Sequence, residues 1–89
     1  MLVNFSMRYI KDIPDQRYKI GIYQWNNKYI IKIESGLYEQ TYKIEEYEVA
    51  SVAELESVFD ENFMNCITAR FDAMDNDFML TLRRNEIIF

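Results

Sequence analysis

Eighty-nine residues allow one domain with one modest core and are too few for two. A chain that is 49% hydrophobic and 16% aromatic, with two glycines and one proline, is not a disordered one. One cysteine excludes an internal disulfide, and no apolar run approaches the ~18 residues of a membrane helix.

The first fourteen residues, MLVNFSMRYIKDIP, lack the long apolar centre of a signal peptide because Arg8 and Lys11 interrupt it. The expected setting is therefore cytoplasmic and reducing. The net charge of −5 is unevenly spread. Residues 1–43 carry seven basic against four acidic side chains, whereas residues 44–89 carry three basic against eleven acidic. The second half is thus a poor surface for duplex DNA, and the first half stays open to anionic partners.

In chain order, Val3, Phe5, Met7 and Tyr9 alternate with Asn4, Ser6 and Arg8. This pattern predicts an edge strand, with a loosely docked N-terminal segment as the alternative. Pro14 then marks a turn. From Tyr18 to Ile33 the period is two around Asn26-Asn27, residues that tolerate the positive φ of a type I′ turn. A two-residue loop there pairs Trp25 with Lys28, Tyr23 with Ile30, Ile22 with Ile31, Ile20 with Ile33 and Lys19 with Glu34. Ile20, Ile22, Tyr29, Ile31 and Ile33 then share one face, the core face. A second turn at Ser35-Gly36 pairs Glu34 with Leu37, Ile33 with Tyr38 and Ile31 with Gln40. That register also sets Lys28 opposite Lys43, an unfavourable pair.

The second half changes period. Ser51-Val52-Ala53-Glu54 has the form of a capping box and predicts a short helix over 52–58. Asp60 caps a longer helix from 61, with Phe59 and Met64 placed for a hydrophobic staple. Phe63, Ile67, Phe71, Met74, Phe78 and Leu82 form its apolar stripe. Arg83 and Arg84 complement the C-terminal end of the dipole. Asp75-Asn76-Asp77 are poor helix formers, but the stripe keeps its phase through them, which predicts continuation.

Little in the chain points to catalysis. Without histidine there is no imidazole base and no Cys/His zinc site, and two glycines cannot build a phosphate loop. Asp72, Asp75 and Asp77 suggest calcium, yet a loop begun at Asp75 puts Met79 and Leu80 where an oxygen ligand and glycine are required. No metal or cofactor is expected. Cys66 flanks the stripe and reads as a buried, inert thiol. Glu45-Glu46-Tyr47-Glu48 reads as a solvated strand end or loop.

The expected fold is a single α+β domain over residues 1–89. An antiparallel three- to four-stranded β-meander is packed on one face by two C-terminal helices. If the isoleucines face inward, Tyr23, Trp25 and Ile30 face outward with Lys19, Lys28, Lys32 and Lys43. This surface suits a protein partner, or is covered by the N-terminal segment or by Ile87-Ile88-Phe89. The function expected is a small interaction module without catalytic activity, forming a homodimer through Tyr23, Trp25 and Ile30 or through Ile87, Ile88 and Phe89. The alternative is a single-stranded nucleic-acid binder, in which the aromatics stack bases among the lysines.

Overall fold

A computed structural model describes residues 7–89, which form two units, one ending at Val58 and the other spanning Phe59–Phe89. The chain is α+β: a four-stranded antiparallel meander, a short helix and a long C-terminal helix.

The first unit is built on alternation. Its strands are β1 (Arg8–Ile13), β2 (Lys19–Trp25), β3 (Lys28–Ser35) and β4 (Tyr38–Glu45), paired in chain order. The described part of the predicted N-terminal strand runs on past Tyr9 to Ile13, and Val3 and Phe5 lie outside the described residues. A bulge shifts its register between Tyr9 and Lys11: Tyr9 faces Tyr23, whereas Lys11 faces Ile22. The extra residue moves Lys11 onto the isoleucine face. After Pro14, the Asp15 carboxylate accepts from the Arg17 and Tyr18 amides at 2.8 and 3.0 Å, fixing the turn into β2.

The first hairpin has the predicted register, with Ile22 opposite Ile31 and Ile20 opposite Ile33. Asn26 and Asn27 both hold positive φ, 54° and 61°, as a type I′ turn requires. Ile20, Ile22, Ile31 and Ile33 are all buried.

The second hairpin differs from the prediction. Its loop is Gly36-Leu37, with Ser35 opposite Tyr38, Glu34 opposite Glu39 and Ile31 opposite Tyr42. Gly36 takes φ +58° at the first loop position, the place that a type II′ turn gives to glycine. The slip of two residues leaves every side chain on its predicted face and removes the Lys28–Lys43 clash. Lys28 now lies opposite Glu45, with Nζ 3.7 Å from Oε1.

A 3₁₀ turn at Glu46–Glu48 follows, and the Glu46 amide donates to the Asn27 carbonyl at 3.0 Å. Gln24 accepts from Arg8 and donates to Glu46, tying β1 and this turn to β2. Helix α1 (Val52–Glu56) is capped as predicted by Ser51, whose Oγ accepts from the Glu54 amide at 3.2 Å. Its Leu55 is buried, and Glu56 reaches Lys11 of β1 at 2.9 Å.

In the second unit, Asp60 caps α2 (Glu61–Arg84), accepting from the Phe63 amide at 2.8 Å. The helix runs unbroken through Asp75-Asn76-Asp77. Phe59 and Phe63 stack tilted, with ring centres 5.8 Å apart. Along the predicted stripe Ile67 and Phe71 are buried and Met74 is half-buried, but Phe78 is 51% exposed. Met64, the predicted staple residue, is buried as well. The helix ends with the Ile87 amide donating to the Leu82 carbonyl at 2.8 Å and the Glu86 amide to Arg83 at 3.0 Å, a Schellman pattern with Glu86 in the left-handed region.

Candidate interaction surface

The outer face of the sheet is assembled by pairing. Tyr9 lies opposite Tyr23, Tyr23 opposite Ile30 and Ile30 opposite Lys43, while Trp25 lies opposite Lys28. Sequence reasoning placed Tyr23, Trp25 and Ile30 together on this face with the four lysines, and the register does so. Their exposures differ, however. Trp25 is 36% exposed and Tyr23 is half-buried, whereas Ile30 is only 2% exposed. Ile30 therefore offers no accessible surface, which corrects its assignment as a contact residue. It is the floor of the face, flanked on adjacent strands by Tyr23 and the aliphatic stem of Lys43.

Gly21 decides where Tyr23 lies. Both belong to the outer face of β2, and a Cβ at position 21 would stand 3.0 Å from Cε1 of the Tyr23 ring. The missing side chain gives the ring its seat. The Lys32 ammonium lies 5.5 Å from the ring centre, and Tyr9 meets the same ring edge-on at 5.7 Å. The Tyr9 phenol is raised above its ordinary pKa of 10.0, first by desolvation and then by the hydrogen bond to, and charge of, Asp12. Tyr9 and Gly21 belong to the site and were not singled out from sequence.

Beside this cluster is an open depression of about 370 Å³, lined by Met7, Trp25, Ile30 and Lys32 and, from β4, by Glu39, Thr41 and Lys43. Acidic side chains accompany the lysines on this face. Lys28 is within 3.7 Å of Glu45, Lys19 lies opposite Glu34, and Asp12 and Glu39 belong to the same side. The face is of mixed charge rather than cationic.

The other predicted contact residues belong to the second unit. Ile87 and Phe89 are exposed there and Ile88 is half-buried. Ile87 also supplies the amide that closes α2. Cys66 is exposed, not buried as predicted, and shares a shallow groove of about 190 Å³ with Ala69, Arg70 and Ala73. It sits one residue, or about 100°, off the buried Ile67 position. Asp72, Asp75 and Asp77 are exposed, and among the described residues no three His, Cys, Asp or Glu side chains converge as metal ligands would. No helix among them is long and apolar enough to cross a membrane.

No family model, curated protein or solved structure matches this chain.

Proposed function

We propose that the chain is a small cytoplasmic protein-binding module without catalytic activity, and that its docking surface is the outer sheet face around Trp25 and Tyr23. One observation carries this reading: a depression lined by Trp25 on a four-stranded sheet, beside the Tyr9–Tyr23 pair and set in a surface of mixed charge. Trp and Tyr are the residues most enriched at energetic centres of protein interfaces. A sheet face also holds them at little entropic cost, because the backbone is already fixed.

Mixed charge favours a protein over a nucleic acid. A single strand needs a cationic track for its phosphates as well as stacking platforms. Here Glu45, Glu34 and Glu39 stand next to the lysines that would form such a track. A sequence without histidine and a lone exposed thiol are in keeping with a binding role in a reducing compartment.

The test uses Trp25, the only tryptophan, as both anchor and probe. A partner captured from the native cell by the full chain, then reconstituted pure, should bind the wild type and lose at least about tenfold in affinity to Trp25→Ala. Retention of full affinity by both Trp25→Ala and Tyr23→Ala removes this face from the interaction. Strong, salt-dependent quenching of Trp25 by oligothymidylate would favour the single-strand reading instead.

A further inference from the structure

We propose that two copies of this chain pair through their β4 edges, forming one continuous antiparallel sheet across a two-fold axis at Thr41. The pairing uses neither Trp25 nor the Ile87–Phe89 tail; it runs through the outward backbone groups of Glu39, Thr41 and Lys43, whose side chains also line the depression beside Trp25.

The sheet has two edges, and they are built differently. β1 carries the devices that keep an edge from pairing: a bulge at Ile10, Pro14 immediately after it, and a charged residue, Lys11, turned onto the apolar face. β4 has eight residues, no proline, no glycine and no shift in register against β3. Among the described residues, no backbone hydrogen bond reaches its outer side.

Hairpin geometry settles which groups point outward. A two-residue loop makes its flanking residues, Ser35 and Tyr38, a hydrogen-bonded pair. Alternation then commits the amides and carbonyls of Tyr38, Gln40, Tyr42 and Ile44 to β3, and those of Glu39, Thr41 and Lys43 to the open edge. In an antiparallel two-fold pair centred on Thr41, Thr41 meets the partner's Thr41. Glu39 meets the partner's Lys43, and Lys43 meets the partner's Glu39. Every outward group from Glu39 to Lys43 is used.

The side chains agree with that register and reject its neighbours. It places opposite charges face to face on both sides of a Thr–Thr pair, both favourable cross-strand combinations. On the inner face Gln40 meets the partner's Tyr42, and Tyr38 meets the partner's Ile44. Shifting the centre to Tyr42 sets Glu39 against the partner's Glu45, a like-charge pair. Shifting it to Gln40 leaves Lys43 against the partner's Leu37, at the tip of the turn. A one-residue slip turns the isoleucine faces of the two copies to opposite sides. The edge is therefore self-complementary in one register, which is what a two-fold contact requires.

The experiment is sedimentation of the full chain from about 1 to 200 μM, a range in which protomer concentration shifts a weak dimer equilibrium. The wild type should dimerise. Glu39→Lys sets lysine against lysine, and Lys43→Glu sets glutamate against glutamate. Each should weaken self-association at least about tenfold. Mixed in equal amounts, the two variants should form a heterodimer, because both contacts are then oppositely charged. The double exchange in one chain should restore the homodimer. Thr41→Pro should be monomeric with an unchanged urea midpoint, since an outward amide on an edge strand is where proline is tolerated. Trp25→Ala should still dimerise.

A wild type that stays monomeric throughout overturns the proposal. So does a mixture of the two single variants that fails to associate, or a dimer that survives Thr41→Pro. A dimer lost only in Trp25→Ala would place self-association on the outer face instead.

Discussion

Glu86 holds φ +59°, a conformation that costs a residue with a Cβ about 1 kcal/mol or slightly more and costs glycine nothing. It does so because the Schellman closure of α2 needs a left-handed residue there, letting the Ile87 amide reach Leu82. Glu86→Gly relieves that strain but adds backbone freedom to the unfolded chain, an opposing effect of about 0.4–1 kcal/mol. The strain is the larger of the two, so the variant should gain about 0.5 kcal/mol in urea unfolding. A loss of stability would mean that the Glu86 side chain contributes more than its backbone costs. Tyr9 supplies a second residue-level test. Its phenol titrates above its ordinary value of 10.0, through desolvation first and Asp12 second. A folded value above the unfolded one means that the folded protein holds the proton more tightly. That stabilising contribution is complete below the unfolded pKa near 10 and disappears as pH rises through the folded value. Ring-carbon NMR of labelled tyrosine should find Tyr9 titrating above 10.0 in the wild type. In Asp12→Asn it should move part of the way back, because desolvation persists. Coincident titration in the two proteins would remove Asp12 as a cause.

At the level of elements, the first hairpin was legible because pattern and turn chemistry agreed. Alternation named the buried isoleucines, and Asn26-Asn27 could adopt the positive φ of the only two-residue loop that pairs them. In the second hairpin the pattern was silent. A slip of two residues returns each side chain to the same face, so burial cannot distinguish Ser35-Gly36 from Gly36-Leu37. The clash of Lys28 with Lys43 was the available signal, and the Lys28–Glu45 contact is its resolution. Part of the outer face was hidden for a different reason. The bulge at Ile10 breaks the alternation between Ile13 and Tyr9, so the meeting of Tyr9 with Tyr23 could not be counted back from the turn into β2. The missing Gly signal at position 86 likewise concealed how α2 ends. Within α2 the stripe fixed helical phase but not depth. Phe71 and Phe78 share the stripe, yet one is 6% exposed and the other 51%. Phe71→Ala should cost about 3–5 kcal/mol and Phe78→Ala about 1 kcal/mol or less. Equal losses, measured by urea unfolding, would contradict the difference in burial.

For the molecule as a whole, charge is the property that composition alone commits. Among the described residues, the ion pairs Lys11–Glu56, Arg17–Asp15 and Lys28–Glu45 bind the first unit locally. All are partly solvated, and pairs of this kind contribute about 0–1 kcal/mol each. Against them stands the excess of acids, eleven against three basic residues beyond position 43. Folding draws these acids closer together than they are in the unfolded chain, so their repulsion weighs on the folded state. Salt acts on both contributions, shrinking the screening length from about 30 Å at 0.01 M to about 3 Å at 1 M. Short contacts lose part of a small attraction, while the spread-out repulsion, acting over longer distances, is screened more completely. The second effect should dominate. Moving from about 0.01 to 0.5 M sodium chloride should raise the urea midpoint, by an amount equivalent to about 1 kcal/mol or less. Urea is the suitable denaturant because it carries no charge of its own, and a few micromolar protein keeps self-association out of the reading. Asp72→Asn removes one exposed acid from α2, so the variant should start more stable in low salt and lose that advantage as salt is added. A midpoint that falls with salt would show that these local pairs outweigh the collective repulsion.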